Sequence, residues 1–292
     1  IPLCHLLNWK PASGNPMLSA DRSSLKAIPQ PETGNMKPET PSNPARWQGR
    51  NTQKDTLRAE VWSALEAGHA NVGEVWSHIP NYVGAEQAAE RLAALPFWEP
   101  ARVVKSNPDA AQIPVRLKAL QAGKILYTPV PELSQDFPFL RLDPAELQRR
   151  GIPFEEVAPI SGALQHGQKV RFEEMEPMDV LVVGCVAVTR SGGRTGKGGG
   201  FADLELGIFH ALGLVPPQSV IVTTVHPTQV VPDDRLVMQG HDCPLDWIIT
   251  PEEVIPTHTQ LPRPTGVDWD AVRPDQYESI PFLHALRARL EK

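Results

Sequence analysis

The chain has 292 residues, 41% of them hydrophobic, and a formal net charge of −6. This length allows one large core, or one core with a flexible extension. The acidic balance excludes a protein that coats nucleic acid through bulk charge, so nucleic acid is not expected as a partner. Three widely spaced cysteines without a C-x-x-C pair suggest neither a disulfide framework nor a thiolate zinc site. No apolar run could span a bilayer and no signal-peptide pattern opens the chain. A cytoplasmic, reducing environment without a membrane partner is therefore expected.

Residues 1–45 are dense in Pro, Ser, Asn and Thr, as in Pro29-Gln30-Pro31-Glu32-Thr33-Gly34. Such a segment buries little and reads as a flexible extension; residues 46–292 read as the folded domain. Leu57, Val61 and Leu65 recur on one face and predict a helix from Asn51 to Gly68. A second helix fits Ala85–Leu95. Strands fit Ala101–Lys105 and Lys124–Thr128, with a helix over Val115–Ala122 between them. Asp143-Pro144 caps a short helix that Gly151 closes. Val180–Val188 is apolar without alternation, as expected of a central parallel strand covered on both faces. A glycine-rich loop follows, then a helix over Ala202–Leu212, strands at Ser219–Val225 and Asp246–Thr250, and a last helix over Ser279–Leu290. Strands alternating with helices predict an α/β fold, a parallel sheet with helices on both faces.

The loop Arg194-Thr195-Gly196-Lys197-Gly198-Gly199-Gly200-Phe201-Ala202-Asp203 carries the chemistry. Its glycines let backbone N–H groups approach a ligand closely. The following helix N-terminus adds unpaired N–H groups and a positive dipole, and Arg194 and Lys197 add charge. The whole suits a polyphosphate. It is not a Walker A loop, because Ser191 stands where the first glycine belongs and Gly198 where Ser or Thr should follow Lys197. It is not a dinucleotide fingerprint either, because Phe201 takes the place of the third glycine.

These residues resemble the R-[LIT]-G-x-G-x-G-[YF]-x-D signature of 5-formyltetrahydrofolate cyclo-ligases, on which Arg194, Gly196, Gly198, Gly200, Phe201 and Asp203 fall. Two further motifs agree in order. Lys54 and Arg58 match a K-x-x-x-R at the start of the family domain. Gln229-Val230 and His241-Asp242-Cys243-Pro244-Leu245-Asp246 match its Q-[LV] and [HN]-D-x-x-x-D elements. The stretches Ile79-Pro80-Asn81 and Val104-Lys105-x-Asn107-Pro108-Asp109 resemble the methenyltetrahydrofolate synthase domain-containing branch, whose animal members also carry an RNA-recognition domain.

The resemblance implies a three-layer α/β/α fold with a mostly parallel sheet, like those of NagB, RpiA and CoA transferases. It implies ATP and Mg2+ as cofactors and a folate or related pterin as substrate. Phosphorylation of the formyl oxygen would precede ring closure. Lys54, Arg58, Arg194, Gly196, Lys197, Gly198, Gly199, Gly200 and Phe201 would bind ATP, and Arg194 and Lys197 would neutralise charge in catalysis. Arg194 could hold phosphate through a bidentate fork. Asp203 and Asp242 would hold the metal. Asp109 and Phe201 are the substrate-side candidates.

There are departures. Ala202 stands where the family has a second aromatic, Leu204 replaces its usual arginine, and the acidic element of the folate pocket has only Asp109 and Gln112 nearby. A non-catalytic nucleotide-binding paralogue, with a regulatory or RNA-associated role, is the alternative. Trp76, Tyr82 and Trp247 are further candidates for stacking on a ring, or else core aromatics. The adjacent His241, Asp242 and Cys243 read as a turn rather than as chelators of one ion.

Overall fold

The computed structural model describes residues 45–291. Apart from Ala45, the extension expected over residues 1–45 lies outside them. The first helix, α1 (Thr52–Ala67), is started by Asn51, whose side chain accepts from the Lys54 backbone N–H at 3.0 Å. Next come α2 (Ala85–Ala93), β1 (Val103–Ser106), α3 (Ile113–Gln121), β2 (Ile125–Pro129) and β3 (Phe139–Leu142). Short helices α4 (Pro144–Arg149), α5 (Phe154–Val157) and α6 (Ile160–His166) lead to β4 (Gln168–Val170). Then follow β5 (Val180–Val182), β6 (Ala187–Thr189), β7 (Arg194–Thr195), α7 (Phe201–Ala211), β8 (Val220–Thr224), β9 (Val230–Val231), β10 (Trp247–Ile249) and β11 (Val254–Pro256). Helices α8 (Pro274–Ser279) and α9 (Leu283–Leu290) complete the described chain.

The main sheet has eight strands in the order β11-β10-β8-β5-β1-β2-β3-β4. The run β10-β8-β5-β1-β2 is parallel, whereas β11, β3 and β4 pair antiparallel at the two edges. Successive strand residues point to opposite faces. Val180 and Val182 enter the core beneath α2 and α3, and Leu181 enters the one beneath α7 and α9. Both faces are thus covered, which explains why these strands read as unbroken apolar runs. The mostly parallel α/β architecture agrees with the sequence.

Two elements differ from expectation. The apolar run Val180–Val188 is not one strand: β5 ends at Val182, and β6 belongs to a second sheet ordered β7-β6-β9. Gly184 sits at the break. A Cβ there would lie 2.8 Å from Asp109 Oδ2 and 3.1 Å from the Ile79 side chain, so only glycine lets the chain pass this closely. The last helix is also divided. Pro281 offers no N–H to continue it, and α8 and α9 are separate.

Candidate functional site

A cavity of about 450 Å3 opens at the ends of β1 and β5, within the size range of small-ligand pockets. Its walls include the loop Arg194–Glu205, Lys54 and Arg58 from α1, Asn107–Asp109 after β1, Gln239 and His241–Asp242, and a C-terminal stretch containing Val267 and Gln276. Residues of the first-helix, glycine-loop and His241-Asp242 motifs, up to 188 positions apart, therefore share one space.

The loop leaves its backbone donors open to the cavity. From Gly196 to Asp203, no backbone N–H finds an acceptor among the described residues. Gly199 is buried and the rest are partly or fully exposed, so the run presents free donors along the cavity wall. Gly200 precedes α7 with φ +75° and no side-chain cap, so the first-turn N–H groups and the helix dipole face the same opening. Gly198 has φ +106°, a conformation that side-chain-bearing residues rarely adopt.

Three cations beside this loop, Lys54, Arg58 and Arg194, are already engaged. Lys54 and Arg58 are four apart and share one face of α1. Lys54 Nζ pairs with Asp242 Oδ2, and both side chains are buried. Arg58 donates from Nε to Gly196 O at 2.7 Å, from Nη1 to Asp55 Oδ1 at 2.8 Å and from Nη2 to Thr195 Oγ1 at 2.9 Å. Burial lowers its pKa, and the carboxylates of Asp55 and Asp242 oppose that shift.

Arg194 is 1% exposed. Its Nε donates to Cys243 O at 2.7 Å, and its Nη2 pairs with Asp203 Oδ1. Burial is the largest influence and would lower its pKa, but Asp203, Cys185, Cys243 and Asp242 together outweigh it, so the guanidinium stays charged. The fork expected to grip phosphate is turned to protein partners. Lys197, which lines the cavity, is left as the loop cation without an ion pair among the described residues.

The two carboxylates are arranged alike. Asp203 Oδ1 accepts from Arg194 and from Cys243 N at 3.1 Å. Asp242 Oδ2 accepts from Lys54 and from Gln239 N at 2.7 Å. Asp203 Oδ2 has no hydrogen bond among the described residues, and Asp242 Oδ1 has only His241 Nε2, 3.8 Å away. Among the described residues, no group of three or more His, Cys, Asp and Glu could hold a metal ion. Two carboxylates with a spare oxygen each fit magnesium, which takes one or two protein carboxylates and fills its shell with phosphate and water.

The far end of the cavity holds charge that the sequence did not reveal. Glu205, in the second turn of α7, faces Lys105 of β1 at 2.6 Å (Nζ to Oε2), and both are buried. Burial raises the Glu205 pKa and the Lys105 ammonium opposes that shift. Lys105 lies inside an apolar strand, where a lone lysine resembles a solvent-facing position. The carboxyl of Asp109 packs against Gly184. Burial raises its pKa, with Lys197, Arg116 and Lys105 pulling the other way. The 266–276 stretch was also missed, because it has no periodic pattern.

Several candidates lie elsewhere. Phe201 lines the cavity, whereas Trp76 packs on Trp62 at 5.2 Å, Tyr82 is buried under α2, and Trp247 packs on Phe97 at 5.7 Å. Those three are core or rim aromatics. Gln112 is fully buried outside the cavity wall, so Asp109 alone remains from the acidic-element candidates. Gln229 is a strut: its Nε2 donates to Cys185 O at 2.9 Å and to Val186 O at 3.2 Å, fixing the crossover between the sheets. Among the described residues, no helix is long and apolar enough to cross a membrane.

Comparison with known proteins identifies the family. The model of the 5-formyltetrahydrofolate cyclo-ligase family matches residues 50–251. The chain belongs to that family. It is 33% identical over 243 residues to a methenyltetrahydrofolate synthase domain-containing protein of Bos taurus, covering 82% of this chain and 63% of the relative. The Mus musculus protein of the same name is 35% identical over 238 residues, with 81% and 63% covered. The chain thus spans less than two thirds of these relatives. Among solved structures it is similar to the 5,10-methenyltetrahydrofolate synthetase of Aquifex aeolicus, at 19% identity and a TM-score of 0.44, covering 70% of this chain and 95% of that one.

Proposed function

We propose that this member of the cyclo-ligase family is an ATP- and magnesium-dependent enzyme that closes 5-formyltetrahydrofolate, or a related formylated pterin, to the 5,10-methenyl form. The observation that carries this reading is the single cavity. A run of unpartnered amides, Lys54, Arg58 and Lys197, and the spare oxygens of Asp203 and Asp242 all border it. The amides from Gly196 to Asp203 would bind the β- and γ-phosphates, with Lys197 neutralising charge that develops in transfer.

Lys54–Asp242 and Arg194–Asp203 are pairs that a metal-bound triphosphate can exchange. Lys54 and Arg194 would then hold phosphate oxygens, and Asp242 and Asp203 would hold the metal. Magnesium would supply charge neutralisation between the phosphates. Asp109 and Phe201 border the part of the cavity left for the formylated ring. Holding formyl oxygen and terminal phosphate together, away from water, is the main contribution expected of the protein. The test is turnover: the methenyl chromophore should appear, with ATP hydrolysed only in the presence of the formyl substrate. No turnover by folded protein at saturating ATP and magnesium would overturn the reading.

A second reading rests on the prior engagement of Arg58 and Arg194 and on Ala202 at the cavity wall. In it the chain binds nucleotide without catalysis, in a regulatory or RNA-associated role. Calorimetry separates the two, because this reading requires ATP binding without folate binding.

A further inference from the structure

The glycine loop is held from outside by two segments that lie beyond the family-matched residues 50–251. On one side stands Trp47. A Cβ at Gly198 would lie 2.9 Å from Trp47 Cβ, and one at Gly199 would lie 3.4 Å from its ring. The Trp47 ring is stacked between the guanidinium groups of Arg46 and Arg50, each 4.3 Å from its centroid, and meets Phe201 edge-on at 5.9 Å. On the other side stands Gln276, which is 3% exposed. Its Nε2 donates to Gly199 O at 3.2 Å, and Arg50 Nη1 donates to the same oxygen at 3.1 Å. Arg50 is in turn paired with Asp275.

The Gln276 amide is used at both ends. Its Oε1 accepts from Arg273 N at 3.0 Å, which fixes which end faces the loop. Ile280 and Leu283, both fully buried, anchor this segment in the core beneath α7. The clamp is built from protein groups alone.

Gly199 O shares a planar trans peptide with the N–H of Gly200, and the two point in opposite directions. Pinning the carbonyl aims the amide. We propose that Gln276, backed by Trp47 and Arg50, is a positioning residue that presets the anion loop by holding the Gly199 carbonyl outward and the Gly200 N–H toward the phosphate position. This deepens the nucleotide reading and rests on it. The clamp lowers the ordering cost of binding and acts on the phosphate end of the ligand alone. It makes the C-terminal segment, which lies beyond the family-matched residues, part of the nucleotide site.

Two isosteric variants test it. Gln276→Met removes both hydrogen bonds, whereas Gln276→Glu keeps the acceptor for Arg273 N and removes only the donor to Gly199. In ligand-free protein, both should raise the microsecond-to-millisecond conformational exchange of the 196–201 backbone, read by NMR relaxation dispersion, and leave 204–211 unchanged. Gln276→Met should weaken ATP binding about 5- to 10-fold and leave adenosine binding unchanged. Unaltered loop exchange in Gln276→Glu, or equal losses for ATP and adenosine, overturns the proposal. Weaker ATP binding with unaltered loop exchange also overturns it, because Gln276 would then touch the ligand directly. If Gln276→Met does not fold, Gln276→Glu still decides, since it retains the cap. Should the wild-type chain bind no ATP while the loop exchange responds as stated, the clamp stands and the nucleotide reading fails.

Discussion

Lys54 Nζ, in the first turn of α1, is paired with Asp242 Oδ2 from the connection between β9 and β10, across 188 positions of sequence. Both side chains are buried, so neither charge is stable alone. Lys54→Ala should destabilise the protein by about 3–5 kcal/mol, because it leaves a buried carboxylate unpaired. It should also weaken ATP binding by about 1–3 kcal/mol. Adding Asp242→Asn to Lys54→Ala should recover much of the stability and none of the affinity. Urea melts and calorimetry on the two variants check this. Full recovery of ATP binding in the double variant would contradict the role given to Lys54.

Asp109 gives a pH dependence. Burial raises its pKa, so the folded protein holds the proton more tightly than the unfolded chain. The stability it contributes is complete below the ordinary aspartate value of about 3.9 and is lost as pH rises through the elevated folded value. Asp109→Asn lacks this loss. The variant should therefore gain stability relative to wild type between acidic and neutral pH. Glu205 shifts in the same direction, partly because it feels the Asp109 charge, so its own shift shrinks in the variant and adds to the same trend. A difference in urea midpoint that shrinks as pH rises would contradict the assignment.

Cys185 and Cys243 test the core beside the site. Burial pushes both thiols up to about 11, against the pull of Arg194. At pH 8 only roughly one in a thousand would be thiolate, the reactive form. Peptide mapping after iodoacetamide treatment should find both unlabelled in native protein and labelled in urea. Rapid native labelling of Cys243 would mean that the Asp203–Arg194 region is open.

Gly198→Ala combines two penalties: φ is +106°, and the new methyl would meet Trp47 Cβ at 2.9 Å. A cost of about 1–3 kcal/mol is expected for the backbone alone. Gly240→Ala is the control, because its φ is unstrained and nothing lies within 4 Å of an added Cβ. Thermal melts should separate the two variants by several degrees. ATP titration of Gly198→Ala should show weakened binding, since the loop can no longer hold its turn.

Much of this was legible in the sequence, for identifiable reasons. Leu57, Val61 and Leu65 announced α1, and with it the face that carries Lys54 and Arg58. The glycines between Gly196 and Gly200, set between a strand and a helix, announced the loop that lines the cavity. Hydrophobic pattern did not reveal that the Val180–Val188 run changes sheets, because both halves are buried and equally apolar. Only the close approach of Asp109 and Ile79 to Gly184 shows the break. Lys105 and Glu205 were obscure because a buried ion pair has no periodic signal; each residue alone looks like a surface charge. The engagement of Arg194 with Asp203 and Cys243 depends on a contact spanning the loop, and Gln276 lies in a stretch without apolar repeats. Such features arise from tertiary proximity, which residue type and spacing do not encode.

The most direct measurement is a calorimetric titration of ATP with magnesium into the wild-type chain, repeated on Gly198→Ala. The account predicts one saturable site per chain in the wild type, with affinity that falls when magnesium is withheld and again in the variant. Absence of saturable binding by folded wild-type protein, or binding indifferent to both magnesium and the Gly198 substitution, would contradict it.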